Sequence, residues 1–337
     1  MPPDGTIAMT PEQHGDLKID LRQIGYFIAI AECGSITRAA ARLGITQPSL
    51  SEAVARLERD LGAALVLRTG RGVVLTRAGA ALAAHGRVIL GAVQAAVRDV
   101  RQLGAEARGP VSLGLTPTLT SLIGVPLAET VAHEHPEIQL LISEGVSPVT
   151  LEGLSNGRLD LGVCYEGHDF GAFEAEPLWE EELFLLSAPD DWPDQDRDGC
   201  FVRRPLAFRD LAGLPLILPN RPNGMRNLFD RIARSRGVEL KAVLELNSLG
   251  NAISIVTRAS AHAILSHAAV VREAERGELV LVPITDPPLT HTAFLLRRKG
   301  QPVSSASQLV ERLMIRILGE MIARYGLRAR LLRGAAG

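Results

Sequence analysis

Long apolar runs are the first thing this 337-residue chain lacks. None reaches the roughly 18–20 residues that span a bilayer, so no transmembrane helix and no membrane partner are expected. Residues 1–16 offer neither a basic n-region nor an apolar h-region, and no signal peptide is read there. Cysteine is scarce. Cys33, Cys164 and Cys200 form no CxxC pair and no even set, which fits reduced thiols in a cytoplasm. The first two sit in apolar periodic segments and are expected to pack; Cys200 lies in a polar loop. GxGxxG, GxxxxGKS/T and GxSxG are missing, which removes support for nucleotide-binding and hydrolase readings. The acidic run 190–198 lacks the Gly turn and closing Glu of a calcium loop. His133 and His135, two apart, do not share a helix face, so no metal site is expected from them. With no catalytic constellation visible, the chain reads as a non-enzyme without metal or cofactor.

What is present is uneven charge. Residues 17–104 hold 12 Lys+Arg against 6 Asp+Glu, while the whole chain carries a net −2. A basic front on an acidic body suits one module beside phosphates and another away from them. Hydrophobic content of 46% and the length allow two or three compact units.

The front is helical. Leu21, Ile24, Phe27, Ile28 and Ala31 recur at helical spacing, predicting a helix from Asp20 to about Glu32. A second helix starts at Ser35 and stops at Gly44. A third is capped by Thr46, with Pro48 in its first turn, where a missing N–H costs nothing. Two helices around a short glycine turn make a helix-turn-helix, whose second member normally enters the major groove. Leu50, Val54, Leu57 and Leu61 form its inner stripe. The outer face carries Pro48, Ser49, Glu52 and Arg56, with Thr46 and Gln47 at the helix mouth; Ser35, Thr37, Arg38 and Ser51 complete the candidate DNA contacts. Two short β segments then flank a Gly/Arg turn. In such a wing Arg68 and Arg71 would meet phosphates or the minor groove. Thr76 caps a long helix reaching about Leu103. Its seam of Leu82, Ile89, Val93, Ala96, Val100 and Leu103 suits a two-fold dimer, with an imperfectly palindromic operator. Residues 104–110 read as a hinge.

These residues carry a specific resemblance. Leu21-Arg22, Phe27, Ala31-Glu32, Gly34-Ser35, Ala39-Ala40, Leu43, Gln47-Pro48, Leu50-Ser51, Leu57-Glu58, Leu61-Gly62, Arg68, Leu75-Thr76 and Gly79 resemble the winged helix-turn-helix of LysR-type transcriptional regulators. Glu52 and Ala53 depart from the Arg and Gln common there; a glutamate accepts from cytosine N4 but cannot grip guanine as arginine does. The resemblance implies a cytoplasmic homodimer or homotetramer that binds double-stranded promoter DNA, answers to a small-molecule co-inducer and works with RNA polymerase.

Beyond residue 105, strand-like and helix-like patterns alternate, as in α/β units with open sheets. Strands are expected at 138–142, 159–163, 183–186, 215–218, 263–265 and 279–282. Helices are expected near 120–134, 149–157, 224–236, 248–258 and 305–325. Ligands collect where such strands meet helix N-termini. Thr116, Thr118, Thr120 and Ser121 stand at the first junction, where four hydroxyls suit either an anion or simple capping. The resemblance favours contact and implies two lobes like those of type 2 periplasmic binding proteins, with the effector between them. It carries the cleft onto Ser147 and Tyr165, and onto Asn223, Asn247, Ser248, Ser260 and His262, with Arg221 and Arg226 as cations for an anionic effector. The domains expected are a tail over 1–16, a DNA-binding domain over 17–75, a linker helix over 76–104, lobe I over 105–184 and 286–337, and lobe II over 185–285. The final residues, 329–337, read as a disordered tail. The alternatives are a metabolic enzyme or a solute-binding protein with an appended DNA-binding head.

Overall fold

The computed structural model describes residues 19–69, 72–101, 107–192 and 196–332. It divides into two compact units, Met1–Val97 and Arg98–Gly337.

The first unit opens with α1 (Leu21–Cys33), fixed at its start by a capping box in which Asp20 and Gln23 exchange hydrogen bonds. Next come α2 (Ile36–Leu43) and α3 (Gln47–Leu61), whose caps are Ser35 and Thr46. Gly44 turns the chain between them in the left-handed conformation, φ 67°, which L side chains resist. Strands β1 (Val66–Thr69) and β2 (Gly72–Leu75) pair antiparallel. The long helix α4 (Arg77–Arg101) follows, its first turn capped by the Thr76 hydroxyl. Ile30, Ala39 and Leu50 share one core, and Phe27, Leu57 and Leu65 another. Two expected core residues lie outside both: Leu21 and Leu61, each at the end of its helix, are 44% and 39% exposed. On α4, Ile89, Val93 and Val97 are exposed. Residues 1–16, the Arg71 tip of the wing, Leu103 and the side chains of Ala96 and Val100 lie outside the described residues.

In the second unit β3 (Gly109–Leu115) leads to α5 (Pro117–Glu134), β4 (Ile138–Glu144) to α6 (Ser147–Ser155), and β5 (Leu161–Tyr165) to the long β6 (Phe173–Ser187). Strands β7 (Arg197–Asp198), β8 (Phe201–Val202) and β9 (Leu206–Ala207) are short. Then β10 (Leu216–Leu218) precedes α7 (Gly224–Arg236), and β11 (Ala242–Glu245) precedes α8 (Leu249–Thr257). The chain closes with β12 (His262–Ser266), α9 (Val271–Glu275), β13 (Val280–Thr285), β14 (Leu289–Arg298), α10 (Ser305–Tyr325) and β15 (Ala329–Leu331). The main sheet runs β11-β10-β12-β6-β14-β5-β3-β4. The α/β pairs are parallel, whereas β6 and β14 run antiparallel through the middle.

Strands β6 and β14 join two cores. Val111, Leu119, Trp179 and Leu295 belong to one, Leu185, Phe208, Phe229 and Val282 to the other. Several expectations need correction. Gly109 and Pro110 begin β3 rather than a hinge, because they pair with Ile138 and Gln139. The segment expected as a closing tail is ordered at its start, where Ala329–Leu331 pairs with β6; residues 333–337 lie outside the described residues. Strand β14 goes unpredicted by the sequence pattern, because its polar residues break the apolar alternation.

Candidate functional site

The recognition face of α3 is open. Thr46, Gln47, Pro48, Ser49, Glu52 and Arg56 are exposed, and Ser51 is half-buried. Gln47 Nε2 donates to Ser51 Oγ at 3.1 Å, holding the amide along the helix. The Ser35 hydroxyl is spent on capping, accepting from the Arg38 N–H at 3.4 Å. Thr37 and Arg38 are exposed, with the Arg38 guanidinium donating to the Cys33 carbonyl at 2.5 Å. Arg68 is exposed on β1.

The second unit holds a cleft of about 820 Å3, counting its open mouth. Four helices present their first turns to it, each following a strand. From one side come Thr116, Pro117 and Thr118 of α5 and Ser147 and Pro148 of α6. From the other come Asn223, Gly224 and Met225 of α7 and Asn247, Ser248 and Leu249 of α8. Tyr165 and His291 close the first side, while Ile217, Leu218, Leu246 and Ala252 supply apolar wall. Asn223 and Ser248 use their side chains to cap α7 and α8. Neither Thr116 nor Val146 caps its own helix. The start of α5 therefore keeps N–H groups and a positive dipole end for a ligand; at α6, where Pro148 has no N–H and the Val149 N–H donates to the Val146 carbonyl at 2.9 Å, the dipole end and the Ser147 N–H are what face it. Thr116 Oγ1 is buried with no hydrogen-bond partner among the described residues.

Seven expected cleft residues thus meet: Thr116, Thr118, Ser147, Tyr165, Asn223, Asn247 and Ser248. Six do not. Arg226 is buried against Asp230, Glu245 and the Pro219 carbonyl, so its charge is already matched. Arg221 pairs with Asp230 at the surface, 58% exposed. Thr120 points its hydroxyl back to the Thr116 carbonyl, and Ser121 is exposed, because one turn into α5 the helix has rotated them off the cleft. Ser260 is exposed and bonds the Arg258 carbonyl at 3.5 Å. His262 is buried beside Asp191 and Trp192; burial pulls its pKa down.

Sequence reasoning missed the base of the first side. Tyr165 Oη donates to Glu181 Oε1, and the Tyr165 ring stacks on His291 at 3.9 Å between centroids. Glu181 and His291 are cross-strand partners on β6 and β14. Burial pushes the Glu181 carboxyl up to about 7, and drives His291 down to about 3, with His168 adding to the effect. Tyr165 is raised well above its ordinary value, first by burial and then by Glu181. His291 is therefore a neutral ring at physiological pH. One signal was available: in β14, Leu289, His291, Ala293 and Leu295 share a face, so His291 occupies an apolar phase.

Among known proteins, residues 21–80 match the model of the bacterial regulatory helix-turn-helix of the lysR family. Residues 104–317 match the LysR substrate binding domain. The nitrogen assimilation regulatory protein nac of Klebsiella aerogenes is 30% identical over 301 residues, 89% of this chain and 95% of that protein. A hydrogen-peroxide-bound variant of OxyR from Corynebacterium glutamicum superimposes with TM-score 0.58 at 25% identity, over 91% of this chain and 96% of its own. Full-length CbnR complexed with its target DNA gives TM-score 0.60 at 20% identity, covering 90% and 100%. Both units, in the same order and over nearly the whole length, place the chain in the LysR family of DNA-binding transcriptional regulators.

Proposed function

We propose that this protein is a cytoplasmic one-component regulator that binds promoter DNA as a homodimer or homotetramer, and whose co-inducer is a small carboxylate held in the cleft. The observation that carries the ligand class is the pair of uncapped helix starts, α5 and α6, facing the cleft beside Thr116, Thr118 and Ser147. With Arg221 and Arg226 engaged by carboxylates, helix N-termini replace side-chain cations as the anion's partners. No metal, cofactor or turnover enters this reading. Closure on the ligand would favour one oligomer geometry and so one DNA bend or spacing, affecting RNA polymerase at the promoter.

Thr118→Val keeps the side-chain shape and deletes a hydroxyl. It should weaken effector binding by about tenfold and leave operator affinity unchanged; calorimetry and gel retardation together check this. Glu52→Arg should alter base preference at one operator position while preserving binding, read by selection from a randomised operator pool. The exposed Ile89, Val93 and Val97 supply an apolar stripe for pairing. Ile89→Asp should therefore shift sedimentation toward monomer and abolish tight operator binding.

A peroxide-sensing reading, prompted by OxyR, is not favoured. Burial pushes the Cys164 thiol up to about 12 and raises Cys200 as well, the opposite of what a reactive thiolate needs.

A further inference from the structure

We infer that Glu58 is a positioning residue for DNA contact by the wing: its carboxylate fixes β1 against the recognition helix α3, so that helix and wing meet the duplex as one rigid body. Glu58 stands in the last turn of α3. A carboxylate there faces the negative end of the helix dipole, where cations are favoured and acids are not. Its partners lie beyond its own helix. Glu58 Oε1 accepts from the Leu65 N–H at 2.8 Å and from the Val66 N–H at 3.2 Å. Leu65 immediately precedes β1 and Val66 opens it. One oxygen thus holds two successive backbone donors through charge-assisted bonds, which set the direction of the strand as well as its distance.

The second strand is held from another side. The Val73 N–H donates to the Gly34 carbonyl at 2.9 Å, and a Cβ on Gly72 would stand 2.5 Å from that same oxygen. Gly34 ends α1 and precedes the Ser35 cap of α2. The wing is therefore pinned by the end of the recognition helix and by the turn that opens the helix-turn-helix. The Gly34 clamp is backbone on both sides; the Glu58 clamp acts through a side chain and can be removed by substitution. Arg68 rides on β1 two residues beyond Val66, about 7 Å along the strand, and is exposed. A strand displaced at its base carries that displacement to Arg68. Base edges are met by α3 and phosphates by the wing, and one duplex satisfies both only if their separation is set. Glu58 sets it, on the reading above that this head binds DNA through both elements.

The test titrates full-length protein, across a salt series, with a duplex that wild type has selected from a randomised pool and with a scrambled duplex. Arg68→Ala should weaken binding to both about tenfold and lower the salt slope by about one, the loss of a single phosphate contact. Glu58→Ala should do the same, and the double variant no more, because a misplaced arginine has no contact left to lose. Glutamine keeps the acceptor and drops the charge, so Glu58→Gln should retain the wild-type slope. Aspartate keeps the charge but draws the oxygen back by about 1.5 Å, so Glu58→Asp should behave as Glu58→Ala. A merely structural role predicts otherwise: the two losses would add, and binding would follow the melting temperature with no change of slope. Additive losses, a wild-type slope in Glu58→Ala, or a Glu58→Gln no better than Glu58→Ala overturns the proposal. If circular dichroism shows Glu58→Ala unfolded, Glu58→Gln against Glu58→Asp decides it. An unchanged slope in Arg68→Ala overturns the wing contact and the proposal with it. Failure of the pool to yield any enriched sequence would instead overturn base reading by α3, while the slopes on the scrambled duplex still judge the clamp.

Discussion

Wild-type protein and His291→Leu should diverge in stability as the solution is acidified. In the folded chain burial holds His291 at about 3, against an ordinary value of 6.5. Unfolded chains take up that proton first, so wild type loses stability as pH falls from about 6.5 toward 3. At 1.36 kcal/mol for each unit of pKa difference, the loss from this group is roughly 2 kcal/mol by pH 5. Leucine does not titrate, and the variant escapes it. Glu181 works in the other direction. Its folded value, about 7 against 4.5, means that the folded state holds the proton more tightly. Its contribution is complete below about pH 4.5 and disappears as pH rises through 7, a change on the order of 3 kcal/mol. Across pH 4.5–6.5 the two slopes oppose each other, so wild type should look nearly flat. His291→Leu should become more stable toward acid, and Glu181→Gln less so. Urea midpoints followed by tryptophan fluorescence from pH 4.5 to 8 measure this directly, since both tryptophans, Trp179 and Trp192, lie in the second unit. Parallel profiles for the three proteins would show that the pair is solvated and not buried.

The cleft and the DNA head were legible to different degrees, for physical reasons. Helix starts are written locally: Asp20, Ser35, Thr46 and Thr76 each precede a helix and each caps it. Junction hydroxyls were legible too, because strand-to-helix alternation fixes where a sheet gathers its helix N-termini. Charge was not. Arg226 looked like a ligand cation, but a sequence displays a charge without its partners, and Glu245 comes from the neighbouring strand β11. Half of that answer was visible as the Arg226–Asp230 spacing of four, which on a helix brings the two together. His291 and Glu181 went unread because strand pairing far apart in sequence creates their site. Each shows only as a polar residue in the buried phase of its strand, and such a residue marks function when it lines a cavity.

Adding one methyl group at Gly79 should cost the DNA-binding head its fold. A Cβ there would stand 2.0 Å from the Leu65 carbonyl oxygen and 3.0 Å from its carbon. Backbone, not a flexible side chain, would have to move. Leu65 has little freedom to do so. Its N–H donates to Glu58 Oε1 at 2.8 Å, its carbonyl accepts from the Thr76 N–H at 3.0 Å, and its side chain is 1% exposed in the core with Phe27 and Leu57. Thr76 fastens the other side, donating to the Ala64 carbonyl and accepting from the Gly79 N–H. Gly79→Ala must therefore break the junction between α3, the wing and α4, through overpacking of about 1–3 kcal/mol plus roughly 1 kcal/mol for each hydrogen bond lost. That is a large share of the marginal stability of a small unit. Operator binding should disappear, while tryptophan fluorescence, which reports only the second unit, keeps its wild-type midpoint. Ala80→Gly, at the exposed neighbour, serves as control and should cost no more than about 1 kcal/mol. Full operator binding by Gly79→Ala would mean that the Leu65 carbonyl can swing aside, and that the wing is held by the helix cores and not by this backbone contact.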